Sequence, residues 1–197
     1  MTDHSPESDN GRYPEFPPAL MVNTVQKLGQ LRQALEGAPR VAVDTEANSL
    51  HAYEARVCLI QLSTDTQDVL VDPLAFDGAG ELSLLGDIFA DPAVEKVFHA
   101  AEYDVMILRR DFGFEFHNLF DTMIAAYLLG DSSVGLKELA FTRLGMEMQE
   151  ITELIGRGRN QITMDLTGIS EAANYACADV EATYRPKHVL EPELRAQ

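Results

Sequence analysis

Asp44 and Glu46 close a short branched run, Arg40-Val-Ala-Val-Asp44-Thr-Glu46. Side chains alternate along an extended strand, so both carboxylates point to one face and could hold a divalent cation between them. The plainer reading is a solvated strand end ahead of the turn-forming Ala47-Asn48-Ser49. A third acid, Asp104, follows the strand-like Lys96-Val-Phe98 within the first turns of a helix, where α/β sites gather. An aspartate there also pairs with the helix dipole, which is its ordinary use. Tyr175 and Asp179 stand four residues apart on a helix of small and apolar neighbours. That spacing stacks phenol and carboxylate on one face, and Ala176 and Ala178 leave room beside them. A core tyrosine with a surface aspartate is the alternative.

The elements around these residues read as one α/β unit. Residues 1–20 hold Pro6, Pro14, Pro17 and Pro18 among polar residues and are expected to form a flexible tail, leaving 21–197 as the folded domain. Asn23 or Thr24 caps a helix through Val25, Leu28, Leu31 and Leu35 that Gly37 ends. Arg40 to Asp44, Arg56 to Leu62 and Asp68 to Val71 form a three-strand meander with a tight turn at Thr64 to Gln67. Helices are expected at Leu82 to Phe89, Glu102 to Phe112, Asp121 to Leu129, Leu136 to Leu144 and Ser170 to about Leu190, with a strand at Lys96 to Phe98. The segment Glu150 to Thr167 reads as a short helix followed by a flexible loop. Pro186 interrupts the last helix at a cost of about 3 kcal/mol, so His188 to Gln197 is expected to turn away or fray.

Composition narrows the class. In 197 residues, 15 basic against 32 acidic side chains give a net charge of −17, which argues against a protein that coats nucleic acid by counterion release. Cys58 and Cys177 are too few for a disulfide framework and make no CxxC pair. No apolar run approaches the ~20 residues that cross a bilayer, and Met1 to Asn10 lacks the features of a signal peptide. A cytoplasmic location without membrane contact is expected, and oligomeric state is not legible.

Taken together, Asp44-Thr-Glu46, His99 to Asp104 with Asn118-Leu-Phe-Asp121-Thr, and Tyr175-x-x-x-Asp179 resemble the three exonuclease motifs of the DEDD superfamily, tyrosine subclass, across about residues 24–190. Leu59-Ile-Gln-Leu62, Val71-Asp-Pro-Leu74 and Phe120-Asp-Thr122 are similar to ribonuclease D. Gly135-Leu-Lys-Glu-Leu139 and Ile155-Gly-Arg-Gly-Arg-Asn-Gln161 are similar to the proofreading domain of DNA polymerase I. The resemblance implies a ribonuclease H-like mixed sheet, with an antiparallel meander plus parallel strands, flanked by helices. It implies 3′-5′ exonuclease activity on single-stranded RNA or DNA ends, releasing nucleoside 5′-monophosphates by a two-metal-ion mechanism.

By the same resemblance, Asp44 bridges two magnesium ions, for which manganese is the expected substitute. Glu46 and Asp179 complete the first site, Asp104 anchors the second ion, and Tyr175 orients the attacking water. On the substrate side, Leu50 would wedge against the terminal base or else pack in the core, and Tyr103 would touch sugar or phosphate or else pack as an aromatic. Arg157 and Arg159 would meet phosphates or else belong to a solvated loop, with Lys137 and Arg143 able to join them. His99 and Asn118 stand beside the motif and read more as loop-fixing groups than as ligands, and Asp121 reads as a helix cap. The alternative is a catalytically weak module that binds nucleic acid on an exonuclease-like fold. Loss of a carboxylate would mark it, and all five motif positions are filled.

Overall fold

Branched and aromatic runs too short to bury themselves assemble into one mixed sheet of six strands. The computed structural model describes residues 13–14, 16–35, 37–48, 55–77, 79–158, 161–162, 167 and 169–197. Its strands are β1 (Leu20–Val22), β2 (Arg40–Ala47), β3 (Val57–Ser63), β4 (Asp68–Val71), β5 (Glu95–Phe98) and β6 (Leu119–Asp121). Its helices are α1 (Val25–Leu35), α2 (Ala79–Ala90), α3 (Glu102–Phe112), α4 (Thr122–Leu129), α5 (Leu136–Leu144), α6 (Ile151–Ile155) and α7 (Ile169–Arg195). The sheet runs β1-β4-β3-β2-β5-β6. β2, β3 and β4 form the antiparallel meander, while β1, β5 and β6 each lie parallel to a neighbour.

The period of two along β2 divides the structure. Val41 and Val43 face a core built with Leu28, Leu31, Leu85, Phe89 and Ile107 from α1, α2 and α3. Ala42 faces the other way, against Val180 and Tyr184 of α7. Asp44 and Glu46 continue Ala42's alternation, so they emerge on the α7 side. β3 is buried along its whole length because helices cover both of its faces.

Four features depart from the sequence expectations. β1 and β6 are three residues each, too short to show a period, and they form only because a neighbouring strand supplies partners. Leu20 therefore belongs to the sheet and not to a tail. Residues just before it are also held: the Tyr13 hydroxyl donates to Glu153 at 3.2 Å, and Phe16 packs on Ala140, Met146, Ala178 and Ala182 beneath Arg185. Finally, α7 runs straight through Pro186 to Arg195. Packing beyond the proline outweighs its lost hydrogen bond. Leu190 is fully buried among Ala125, Ala126 and Leu139. Lys187 is 1% exposed, paired with Glu95 at 2.9 Å and with Glu191, and sits 4.9 Å above the Phe120 ring. None of the described helices is long and apolar enough to cross a membrane.

The turn from β5 into α3 sets the start of the helix that carries Asp104. Ala100 there adopts φ +57°, which a side chain other than glycine's rarely accepts. Asp121 holds it, accepting from the N–H groups of Ala100 at 3.2 Å and Ala101 at 2.9 Å while capping α4 through Met123 and Ile124. Asp121→Ala is expected to cost about 2 kcal/mol, since it removes a helix cap and a turn clamp together. A urea midpoint unchanged from wild type would contradict this.

Candidate active site

Strand alternation brings Asp44 and Glu46 to the α7 face, where Asp179 meets them. One oxygen from each of the three carboxylates lies within 4.8 Å of the others. A register shift between Glu46 and Ala47 against β3 ends regular pairing right beside the acids. Thr45, between them in sequence, points to the opposite face and donates its hydroxyl to Asp104 Oδ1 at 2.5 Å. One strand thus supplies two acids and fixes a third. Asp104 is buried and stands outside the group of three. Tyr175, one turn before Asp179, is buried, and its phenol lies close enough to the Asp179 carboxylate for each to shift the other's protonation.

Sequence reasoning missed Gln61. It sits opposite Asp44 in the β2–β3 register and has no exposed surface. With its amide nitrogen facing them, it donates to Asp44 Oδ2 and to the Ala176 carbonyl, 2.9 Å each. The contact ties strand to helix beside the acids. Its signal was available: a glutamine inside the apolar run Val57-Cys-Leu-Ile-Gln-Leu62 requires a buried polar partner.

Proximity and dryness disturb the acids. Burial, then the charges of Asp104, Asp179 and Glu46, raise Asp44 well above the ordinary carboxylate range. Burial followed by Asp179 and Asp104 pushes Glu46 up to about 8. Asp104 rises to about 6 through burial, opposed by the Thr45 bond. Asp179 also rises to about 6 through burial, opposed by the Tyr175 hydroxyl and the Lys137 charge. Burial, aided by Asp179 and Glu46, drives the Tyr175 phenol far above its usual value. An all-oxygen cluster whose own charges repel fits a hard divalent cation, and among the described residues no cysteine or histidine belongs to it.

The remaining candidates separate. Tyr103 is half-exposed beside Asp104, lining an apolar groove of about 870 Å³ with Met106, Leu119 and Ile124. Arg157 is exposed, its Nε donating to Thr152 at 3.1 Å. Leu50 and Arg159 lie outside the described residues. One candidate does not face the acids. Asn118 precedes β6 at the level of Arg40 and Glu95, the sheet end away from Asp44, and its amide donates to the Pro92 carbonyl at 3.1 Å. His99 is engaged with the Thr122 hydroxyl at 2.9 Å, and Thr122 in turn donates to the Phe98 carbonyl. Arg143 is held by Asp131 and Glu193, and Lys137 by Gln149 and Glu150, so neither is a free phosphate contact.

The chain's relationships agree with this geometry. A family model described as a 3′-5′ exonuclease matches residues 20–195. DNA polymerase I of Chloroflexus aurantiacus is 34% identical over 192 residues, covering 93% of this chain and 20% of the polymerase. A mutant catalytic core of RRP6 from Trypanosoma brucei superposes with a TM-score of 0.78 at 29% identity, covering 93% of this chain and 50% of that one. Escherichia coli RNase D gives 0.75 at 25% identity, covering 91% and 46%. The chain therefore spans half or less of each of these three.

Raised carboxyls have a consequence for stability. In chelator the folded protein keeps protons that the unfolded chain releases near pH 4, so stability should fall as pH rises from about 4 to about 8. Glu46→Gln removes the group raised to about 8 and should flatten the upper part of that decline. Thermal melts across this range check both, and a wild-type melting temperature that is flat or climbing would contradict them.

Proposed function

This chain belongs to the 3′-5′ exonuclease family, and from that premise we propose that it hydrolyses the terminal phosphodiester of single-stranded RNA or DNA from the 3′ end. Nucleoside 5′-monophosphates are the product. The observation that carries the reading is the convergence of Asp44, Glu46 and Asp179 within 4.8 Å, with Tyr175 one turn from Asp179 on the same helix and Asp104 fixed by Thr45.

Asp44, Glu46 and Asp179 would hold magnesium, or manganese in its place, and Asp104 would hold a second ion. Two such ions, when bound, supply an activated water and neutralise the leaving 3′ oxygen. The chain's own groups do the rest. Because its pKa is driven upward, the Tyr175 phenol keeps its proton and acts as a hydrogen-bond donor that orients water, not as a base. Gln61 keeps one Asp44 oxygen engaged, which leaves the other to face the cluster. Tyr103 offers a half-exposed ring beside Asp104 for the terminal nucleotide, and Leu50 would wedge against its base. Arg157, with Arg159 beyond the adjoining glycine, would meet incoming phosphates. With a net charge of −17, so few cationic contacts imply a weak grip on the strand.

The reading is tested with end-labelled oligonucleotides of RNA and DNA in manganese. A free 3′ hydroxyl should be required, and Tyr175→Phe should lower the single-turnover rate by about 10² to 10⁴ while manganese affinity stays nearly unchanged. Circular or 3′-phosphorylated strands degraded as fast as free ends would contradict the exonuclease reading. A Phe variant at wild-type rate would remove the tyrosine from it.

A further inference from the structure

α6 is a helix of five residues, Ile151–Ile155, too short to persist without anchors. Its apolar side matters to the site: Ile151, Leu154 and Ile155 pack with Cys58 and Ala172 around Tyr175. The helix therefore forms one wall of the pocket that fixes the phenol. Its N-terminus lacks the usual restraint, because Glu150 in the cap position makes no side-chain bond to the helix. Restraint comes from α5 instead. The Lys137 ammonium donates to the Gln149 carbonyl at 2.8 Å and pairs with the Glu150 carboxylate at 3.0 Å.

We propose that Lys137 is a positioning residue for the exonuclease reaction, a latch between α5 and the start of α6 that keeps the wall of α6 against the Tyr175 ring. The inference rests on the reading of Tyr175 given above. The backbone carbonyl is the main partner of the latch, since Glu150 is more than half exposed and an exposed pair contributes little. α6 has further ties, among them Tyr13 to Glu153, Arg157 Nε to the Thr152 hydroxyl, and the Ile162 N–H to the Ile155 carbonyl at 3.0 Å. Loss of Lys137 thus loosens the helix without unfolding the protein.

The test compares Lys137→Gln, Lys137→Arg, Glu150→Gln, Tyr175→Phe and the Lys137→Gln/Tyr175→Phe pair. In metal-free protein, Lys137→Gln should speed amide exchange in residues 149–156, and Lys137→Arg should restore it. With oligonucleotide and manganese, Lys137→Gln should lower kcat about tenfold with KM changed less than about twofold. Glu150→Gln should stay within about twofold of wild type. The double variant should be no slower than Tyr175→Phe alone, because both losses act on one group. Wild-type exchange and kcat in Lys137→Gln would overturn the latch. A raised KM with intact kcat would make Lys137 a phosphate contact, and a further tenfold loss in the double variant would show that it acts apart from the tyrosine. Tyr175→Phe at wild-type rate sinks the reading of the tyrosine and this inference with it, whereas a slow Tyr175→Phe beside an unaffected Lys137→Gln sinks only the latch.

Discussion

Like-charged carboxylates resist being gathered in a half-dry pocket, and the structure is organised around gathering them. Asp44, Glu46 and Asp179 place oxygens within 4.8 Å of one another, and Asp104 stands near enough to raise the first two further. Without a counter-charge, the cluster retains protons at pH values where exposed acids have lost them. That cost is borne by the fold and relieved by a cation, so the site is destabilised in isolation and suited to its ligand.

Rigid elements keep the acids from moving apart. β2 is held by β3 on one side and β5 on the other, which fixes the two strand acids as a pair. Asp179 is carried by the longest helix, whose small Ala176 packs directly on Leu59 and Leu70. Gln61 joins these two elements at the level of Asp44, and Thr45 holds Asp104 from the other face of the strand. Tyr175, on the same helix as Asp179, packs its ring against a five-residue helix that depends on contacts from elsewhere in the chain.

Much of this was legible in sequence because it is local. A period of two aligned Asp44 with Glu46, a spacing of four stacked Tyr175 on Asp179, and the apolar stripe of α1 set its limits at Val25 and Leu35. What was not legible depends on distant partners. β1 and β6 have no period of their own, and α7 passes Pro186 because Lys187 and Leu190 find partners on other elements. Asn118 shares a motif with Asp121 in sequence, yet the parallel strand between them carries only Asp121 to the active end of the sheet. Lys137 resembled a free basic residue until its partners at Gln149 and Glu150 were in view.

The central claim is that these carboxylates form one cation site whose protons leave when metal enters. Calorimetric titration of manganese into metal-free protein near pH 7, in two buffers of different ionisation heat, addresses it directly. Because Glu46 is raised to about 8, saturable binding should release protons, so the measured heat should differ between the buffers, and Asp44→Asn should bind far more weakly. Absence of saturable binding, or equal heats in both buffers with Asp44→Asn binding as well as wild type, would contradict the account.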